Sequence, residues 1–153
     1  QTDPQAARAL MEDIEVLIDE LTDFRGLKIY GSPWTPRYGN YSFMTENYME
    51  AMEKWANIPY GLDILITHGP PHGILDKSKY GLSVGSLALY DAVCLKKPKI
   101  HAFGHCHSDG CQGRTIEGIY FVNAALLDGF HDLHPTDPMG FTLTSKVTWG
   151  IQP

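Results

Sequence analysis

The sequence predicts a layered α/β fold. Segments with helical periodicity alternate along the chain with short, nearly continuous apolar segments that are typical of buried strands. The 153 residues suit one domain, and they contain no internal repeat, no low-complexity tract and no linker to a second domain. Of these residues 43% are hydrophobic and 20% are charged. This balance is typical of a globular core and excludes a disordered or coiled-coil chain.

The first part of the chain predicts a helix, a strand and a second helix. The aspartate–proline pair at residues 3–4 is typical of a helix start, and apolar residues spaced by three or four positions extend this predicted helix to about residue 24. Residues 27–30 are expected to form a short strand that ends in a turn rich in glycine and proline. Asn47 and Glu50 have the spacing of a capping box, so the second helix is expected to start there.

The rest of the chain predicts strands that flank one more helix. Residues 62–67 are nearly continuous apolar, which suits a strand buried on both faces. Residues 83–95 are expected to form a helix. The remaining strands are predicted at residues 99–103, 119–122 and 141–149.

Charge and composition limit the partners that this chain can have. The net charge of −6 disfavours binding to an extended nucleic acid or to an anionic membrane surface. No apolar stretch approaches the roughly 18 residues that a membrane-spanning helix needs. Three cysteines are an odd number and too few for a disulfide framework, so a reducing, cytoplasmic compartment is expected. The chain begins with Gln1 and is interpreted as processed or as a piece of a longer protein.

The segment FGHCHSD at residues 103–109 carries the strongest chemical signal. On an extended chain His105 and His107 would point to the same side, with their β-carbons roughly 6–7 Å apart. Imidazoles at that separation could each bind one of two metal ions lying about 3.5–4 Å apart. His68 follows a different predicted strand, and open α/β sheets bind ligands at strand ends. Histidines that follow two different strands are therefore expected to lie together in one metal site.

These residues resemble a known family. The segments ILITHGPPHGILD (64–76), PKIHAFGHCH (98–107) and VNAA (122–125) resemble the C-terminal half of the calcineurin-like metallophosphoesterases. The segment YGSPWTP (30–36) is similar to the small metallophosphoesterase-domain-containing branch of that family. The resemblance implies that the chain is the C-terminal portion of a four-layer α/β/β/α sandwich.

The resemblance also implies a reaction and its ligands. His68 and His105 would bind one divalent metal ion and His107 a second, and Mn, Fe or Zn would suit these imidazoles. Asp76 would accept a hydrogen bond from a ligand histidine and so orient it. The implied activity is hydrolysis of a phosphodiester or phosphomonoester by metal-activated water without a covalent intermediate. Nucleotides or cyclic nucleotides are the substrate class that the resemblance favours.

Other polar residues have two interpretations each. His72, four residues after His68, contacts a bound phosphate or is solvated. Arg114 contacts a substrate phosphate with two N–H groups or is solvated. His101 alternates with Phe103 along its strand and is expected to be a packed or hydrogen-bonded core histidine rather than a metal ligand.

The ligand set is incomplete in this sequence. In the family, the first half of the domain supplies an Asp-x-His motif, a Gly-Asp motif with the bridging carboxylate, and a Gly-Asn-His motif. Three histidines alone leave two dications without neutralising carboxylates, so we expect an incomplete domain whose missing N-terminal part is its partner. Two alternatives stay open. One is a non-catalytic module that binds metal or phosphate, and the other is a structural zinc site formed by His105, Cys106, His107 and Cys111.

Overall fold

The computed structural model describes residue 11, residues 14–130 and residues 132–133. They form a six-stranded mixed sheet with two helices, and a separate two-stranded sheet. The strands are β1 (Glu20–Phe24), β2 (Leu27–Ser32), β3 (Thr35–Pro36), β4 (Met44–Thr45), β5 (Ile64–Thr67), β6 (Ile100–Phe103), β7 (Gln112–Ile116) and β8 (Ile119–Asn123). The helices are α1 (Tyr48–Ala56) and α2 (Leu87–Lys96), and a single 3-10 turn spans His107–Asp109. The predicted α/β class is confirmed.

The large sheet has the strand order β1-β2-β5-β6-β8-β7. Its four central strands are parallel, and each edge is an antiparallel hairpin. Helices α1 and α2 pack on one face and bury the main core, in which Trp55 and Leu65 are almost fully inaccessible. Both helices start at a side-chain cap, since Asn47 Oδ1 accepts the Glu50 N–H at 3.0 Å and Ser86 Oγ accepts the Leu89 N–H at 3.2 Å.

Both edge hairpins use a turn in which two residues have positive φ. Arg25 (φ +54°) and Gly26 (φ +82°) connect β1 to β2, and Glu117 (φ +49°) and Gly118 (φ +82°) connect β7 to β8. This conformation twists in the same sense as the strands and so favours a tight hairpin. The prediction that the first helix extends to residue 24 is therefore wrong, because residues 20–24 pair with β2. Strand β7 was not predicted.

The second face of the large sheet is less covered. Ile100, Tyr120 and Val122 form a small cluster there, but Ile66 in β5 is 43% exposed. The prediction that residues 62–67 are buried on both faces is wrong for this reason. Within the described residues, no helix has the length and apolar character needed to cross a membrane. The predicted start of the first helix at residues 3–4 and the predicted strand at 141–149 lie outside the described residues.

His101 is a core histidine, as predicted. It is fully buried between the rings of Phe103 and Phe121. Its Nε2 lies 2.8 Å from Thr67 Oγ1, whose proton is donated to the Gly69 carbonyl at 2.7 Å. The imidazole Nε2–H must therefore be the donor to Thr67. Burial lowers the pKa of His101 to about 3.

This buried histidine predicts that the protein loses stability in mild acid. Between the ordinary pKa of 6.5 and the folded-state pKa of about 3, the unfolded chain binds a proton that the folded chain does not. The free energy of unfolding therefore falls as the pH falls, and His101 contributes a loss of about 2 kcal/mol between about pH 7.5 and pH 5. This change in the free energy of unfolding is measured by urea denaturation at both pH values. The His101→Gln variant, which keeps an N–H donor for Thr67, should lose about 2 kcal/mol less over this range, and an equal loss in both proteins would contradict the assignment.

Candidate metal centre

Two histidines meet at the carboxyl ends of adjacent parallel strands. His68 directly follows β5, and His105 lies two residues beyond the end of β6. The Gly104 N–H donates to the His68 carbonyl at 3.0 Å, which joins the two strand ends. Parallel strands in an open sheet bring their carboxyl ends to one edge, so residues distant in sequence converge there. The predicted convergence of two strand ends is present.

The two imidazoles are close enough to share one ion. His68 Nε2 lies 3.2 Å from His105 Nδ1, and the ring centroids are 4.8 Å apart. Tetrahedral zinc with bonds of about 2.0–2.1 Å places its ligand nitrogens about 3.3–3.4 Å apart, so the pair has the spacing of two ligands on one metal ion. Desolvation lowers the pKa of both rings, and His68 and His107 lower the pKa of His105 further. Both rings are therefore neutral near pH 7, which is the form that binds metal.

The backbone at His105 differs from the sequence prediction. His105 has a φ of +68°, and the Cys106 N–H donates across it to the Gly104 carbonyl at 2.8 Å. This is a γ-turn with positive φ, a rare and strained conformation for a residue with a side chain. The prediction of an extended chain through His105 is therefore wrong. The turn places the His105 ring against His68, while His107 begins the short 3-10 turn.

His107 is oriented by a contact that the sequence did not indicate. Its Nδ1 lies 3.2 Å from the carbonyl oxygen of Asp128. A carbonyl can only accept, so Nδ1 carries a proton and donates it, which leaves Nε2 as the ring nitrogen that can bind a metal ion. A histidine that donates one ring N–H to a carbonyl is typical of metal ligands, because the contact fixes the tautomer and the ring plane.

His105 and His107 line one cavity of about 340 Å³. Its other described lining residues include the cation Lys79 and the hydroxyl residues Ser78 and Ser108, and none of the described lining residues is a carboxylate. A cavity lined by a lysine, two serines and two histidines is suited to an anion. Lys79 and Ser78 were not predicted, since nothing in their local sequence links them to the histidines.

The hydrogen bonds of the Asp76 side chain go to loop backbone. It is 1% exposed, and its Oδ2 accepts the N–H groups of Gly73 at 2.8 Å and Gly85 at 3.1 Å. His72 is the histidine nearest to it among the recorded contacts, with Nδ1 3.8 Å from Oδ2. The hydrogen bonds recorded for Asp76 close the loop between β5 and α2, and they do not reach a predicted ligand. Arg114 lies exposed in the edge strand β7.

The structure disfavours the structural zinc alternative. Cys106 is 3% exposed, and burial raises the pKa of its thiol to about 12. Cys111 Sγ contacts the Ala125 carbonyl at 3.4 Å. In the described part of the chain, no three histidine, cysteine, aspartate or glutamate side chains converge closely enough to hold one ion.

Asn123 links the histidine loop to the sheet. It ends β8, is fully buried, and donates through Nδ2 to the carbonyls of Cys106 at 2.8 Å and Leu75 at 3.1 Å. Its Oδ1 accepts the Ala125 N–H at 3.0 Å. Asn123 therefore satisfies the backbone of three loops, and one of them is the loop that separates His105 from His107.

The chain is similar in sequence to several known proteins. The chain is 41% identical over 122 residues to human metallophosphoesterase domain-containing protein 1, matching 78% of this chain and 37% of that protein. It is also similar to two proteins of Caenorhabditis elegans. UPF0046 protein T07D4.2 is 34% identical over 84% of this chain and 32% of its own length, and UPF0046 protein C25E10.12 is 38% identical over 90% and 50%.

A solved structure supports the fold alone. A crystal structure aligns with a TM-score of 0.58 at 19% identity, covering 79% of this chain and 51% of the other. No family model matches the sequence. The sheet and the sequence matches together define a metallophosphoesterase-like domain. The chain belongs to the family of UPF0046 and metallophosphoesterase-domain-containing proteins, and it spans about a third to a half of the length of these curated relatives.

Proposed function

We propose that this chain supplies the histidine part of a metal-dependent phosphoesterase centre. The observation that carries the proposal is the pair of neutral imidazoles, His68 and His105, held 3.2 Å apart at two parallel strand ends. His68 and His105 would hold one divalent metal ion, and His107 would ligate a second through Nε2. When bound, two such ions polarise the phosphoryl oxygens and lower the pKa of a bound water. Mn, Fe and Zn are the metals that suit these ligands.

The chain's own residues would orient and neutralise the substrate. Lys79 is one of the residues that line the cavity of His105 and His107, and its Nζ lies 5.2 Å from the centre of the Tyr80 ring. Its ammonium group would attract the phosphate ester, with the serine hydroxyls of the same wall as hydrogen-bond donors. Phosphodiesters and phosphomonoesters both present the required oxygens. Nucleotides or cyclic nucleotides are the proposed substrates.

The carboxylate ligands would come from outside these 153 residues. Relatives two to three times as long leave room for them beyond the matched region. The exposed Ile66 on the second face of the sheet gives such a segment a surface to cover. Intact mass spectrometry of the purified protein tests this point. A second polypeptide or a mass well above 17.1 kDa supports it, whereas a single active species of 17.1 kDa contradicts it.

The activity itself is tested with bis(4-nitrophenyl) phosphate. The protein is treated with a chelator and then assayed with and without added Mn²⁺. Hydrolysis that the chelator removes and that Mn²⁺ restores supports the phosphoesterase. Hydrolysis that survives chelation contradicts the metal requirement.

A second candidate is a non-catalytic module that binds metal or phosphate. The observation in its favour is that the described residues bring together only two metal-ligating side chains, one short of a minimal set. This module predicts binding of Mn²⁺ or inorganic phosphate with no hydrolysis under any metal condition. Turnover restored by Mn²⁺ would reject it.

A further inference from the structure

An exposed pair of aromatic rings adjoins the histidine pair. The ring of Tyr38 lies 4.8 Å from the ring of His105, centroid to centroid, and is tilted by 49°. The rings of Tyr38 and Tyr41 are stacked, with centroids 5.3 Å apart and planes at 30°. Together with His68 they make a continuous row of four rings that leads away from the candidate metal centre. We call Tyr38 and Tyr41 the tyrosine platform.

The platform contributes little to the core. Tyr38 is 55% exposed and Tyr41 is 68% exposed, although each ring packs against a neighbouring ring. Exposed aromatic rings provide a large contact area for a flat ligand at low conformational cost. Their position beside His105, rather than elsewhere on the surface, connects them to the site.

The loop that carries the tyrosine platform is anchored by contacts of Arg37. Arg37 forms a two-pronged ion pair with Glu46, and its Nη1 donates to the Gly39 carbonyl at 2.8 Å. The Arg37 N–H also donates to the Thr45 carbonyl at 3.1 Å. A β-carbon on residue 39 would lie 3.0 Å from the Tyr41 ring, so the glycine lets this ring pack over the backbone. These contacts restrain the backbone on both sides of Tyr38, which reduces the ordering cost of binding.

We propose that the tyrosine platform binds the planar aromatic group of the phosphate ester that the site hydrolyses. This inference rests on the proposed function, because the phosphate must occupy the histidine site for its aromatic substituent to reach Tyr38. Stacking on an aromatic side chain accepts any flat ring, so the platform selects aromatic esters over aliphatic ones without reading a particular base. The ring comes from a nucleobase or from a simple aryl group.

Ring binding by the tyrosine platform is tested with pairs of phosphate esters, in which one member has an aromatic group and the other does not. Adenosine 5′-monophosphate and ribose 5-phosphate differ only in the base, and phenyl phosphate and ethyl phosphate differ in the aryl group. Dissociation constants are measured by calorimetry on the purified protein with Mn²⁺ present. We expect the aromatic member of at least one pair to bind about 10-fold more tightly. A preference within the first pair alone identifies a nucleobase, and a preference in both pairs identifies aromatic rings in general.

Variants separate this inference from the proposed function. Tyr38→Ala should bring the ratio within each pair close to one, and Tyr38→Phe should keep it. The matched control is Tyr60→Ala, which removes an equally exposed tyrosine (63%) outside the site and should leave the ratio unchanged. Equal binding of both members of each pair to the wild type, or a ratio that survives Tyr38→Ala, overturns the platform and leaves the phosphoesterase intact. If none of the four phosphates binds to the wild type, the proposed function fails as well.

Discussion

The His105→Gly variant is expected to lose metal-dependent phosphoester hydrolysis while its melting temperature stays equal or rises. The substitution removes one imidazole of the pair that is proposed to hold a metal ion. Losing an outer-shell partner of a metal site costs roughly 10–100-fold in activity, so loss of a ligand should exceed about 100-fold. The backbone gains at the same time, because the φ of +68° at this position strains any residue with a β-carbon and suits glycine.

Hydrolysis is expected to fall while the melting temperature stays equal or rises, so the two measurements together distinguish loss of a ligand from loss of folding. Lys97 is a matched control, since it is also a non-glycine residue with positive φ (+49°) and it is exposed at the end of α2. Lys97→Gly should give a similar gain in stability with unchanged turnover. Assays with Mn²⁺ and thermal melts of both variants measure the outcome. Wild-type turnover in His105→Gly would contradict the role of the imidazole.

Asn123→Ala is expected to lower the free energy of unfolding by about 3 kcal/mol and to reduce hydrolysis as well. The side chain makes three buried hydrogen bonds, and each backbone group that loses its partner costs about 1–3 kcal/mol. One of the three partners is the Cys106 carbonyl, which lies between His105 and His107. The loop that positions both imidazoles therefore loosens when Asn123 is removed.

A second asparagine in the chain is a suitable control. Asn47 caps α1 and is exposed, so Asn47→Ala should cost about 1 kcal/mol and leave hydrolysis unchanged. Chemical denaturation gives both free energies, and activity is measured well below each melting temperature. Full activity in Asn123→Ala under those conditions would show that the histidine loop keeps its geometry without this anchor.

The sequence predicted the parts of the fold that local patterns encode. Apolar runs identified the central strands β5, β6 and β8, and the asparagine cap identified the start of α1. The predicted first helix was wrong at its end because apolar residues such as Leu21 recur at helical spacing, whereas pairing with β2 determines the structure there. Pairing between strands is a tertiary interaction, and it overrides local propensity.

The candidate site was predictable in identity but not in conformation. The strand-end motifs indicated His68, His105 and His107, since these residue types follow buried segments. The γ-turn at His105 was not predictable, because its φ is stabilised by contacts between loops that are distant in sequence. The tyrosine platform was missed for a similar reason. Tyr38 is recognisable as a site residue only through its contact with His105.

Direct metal binding tests the central claim, which is that His68 and His105 are ligands of one ion. The purified protein is titrated with Co²⁺, and the ligand-field absorption and calorimetric heat are recorded for the wild type, His68→Ala, His105→Gly and the control Lys97→Gly. We predict saturable binding by the wild type and the control, with affinity at least about 10-fold weaker in each histidine variant. Binding of equal affinity in all four proteins, or no binding by the wild type, would contradict the account.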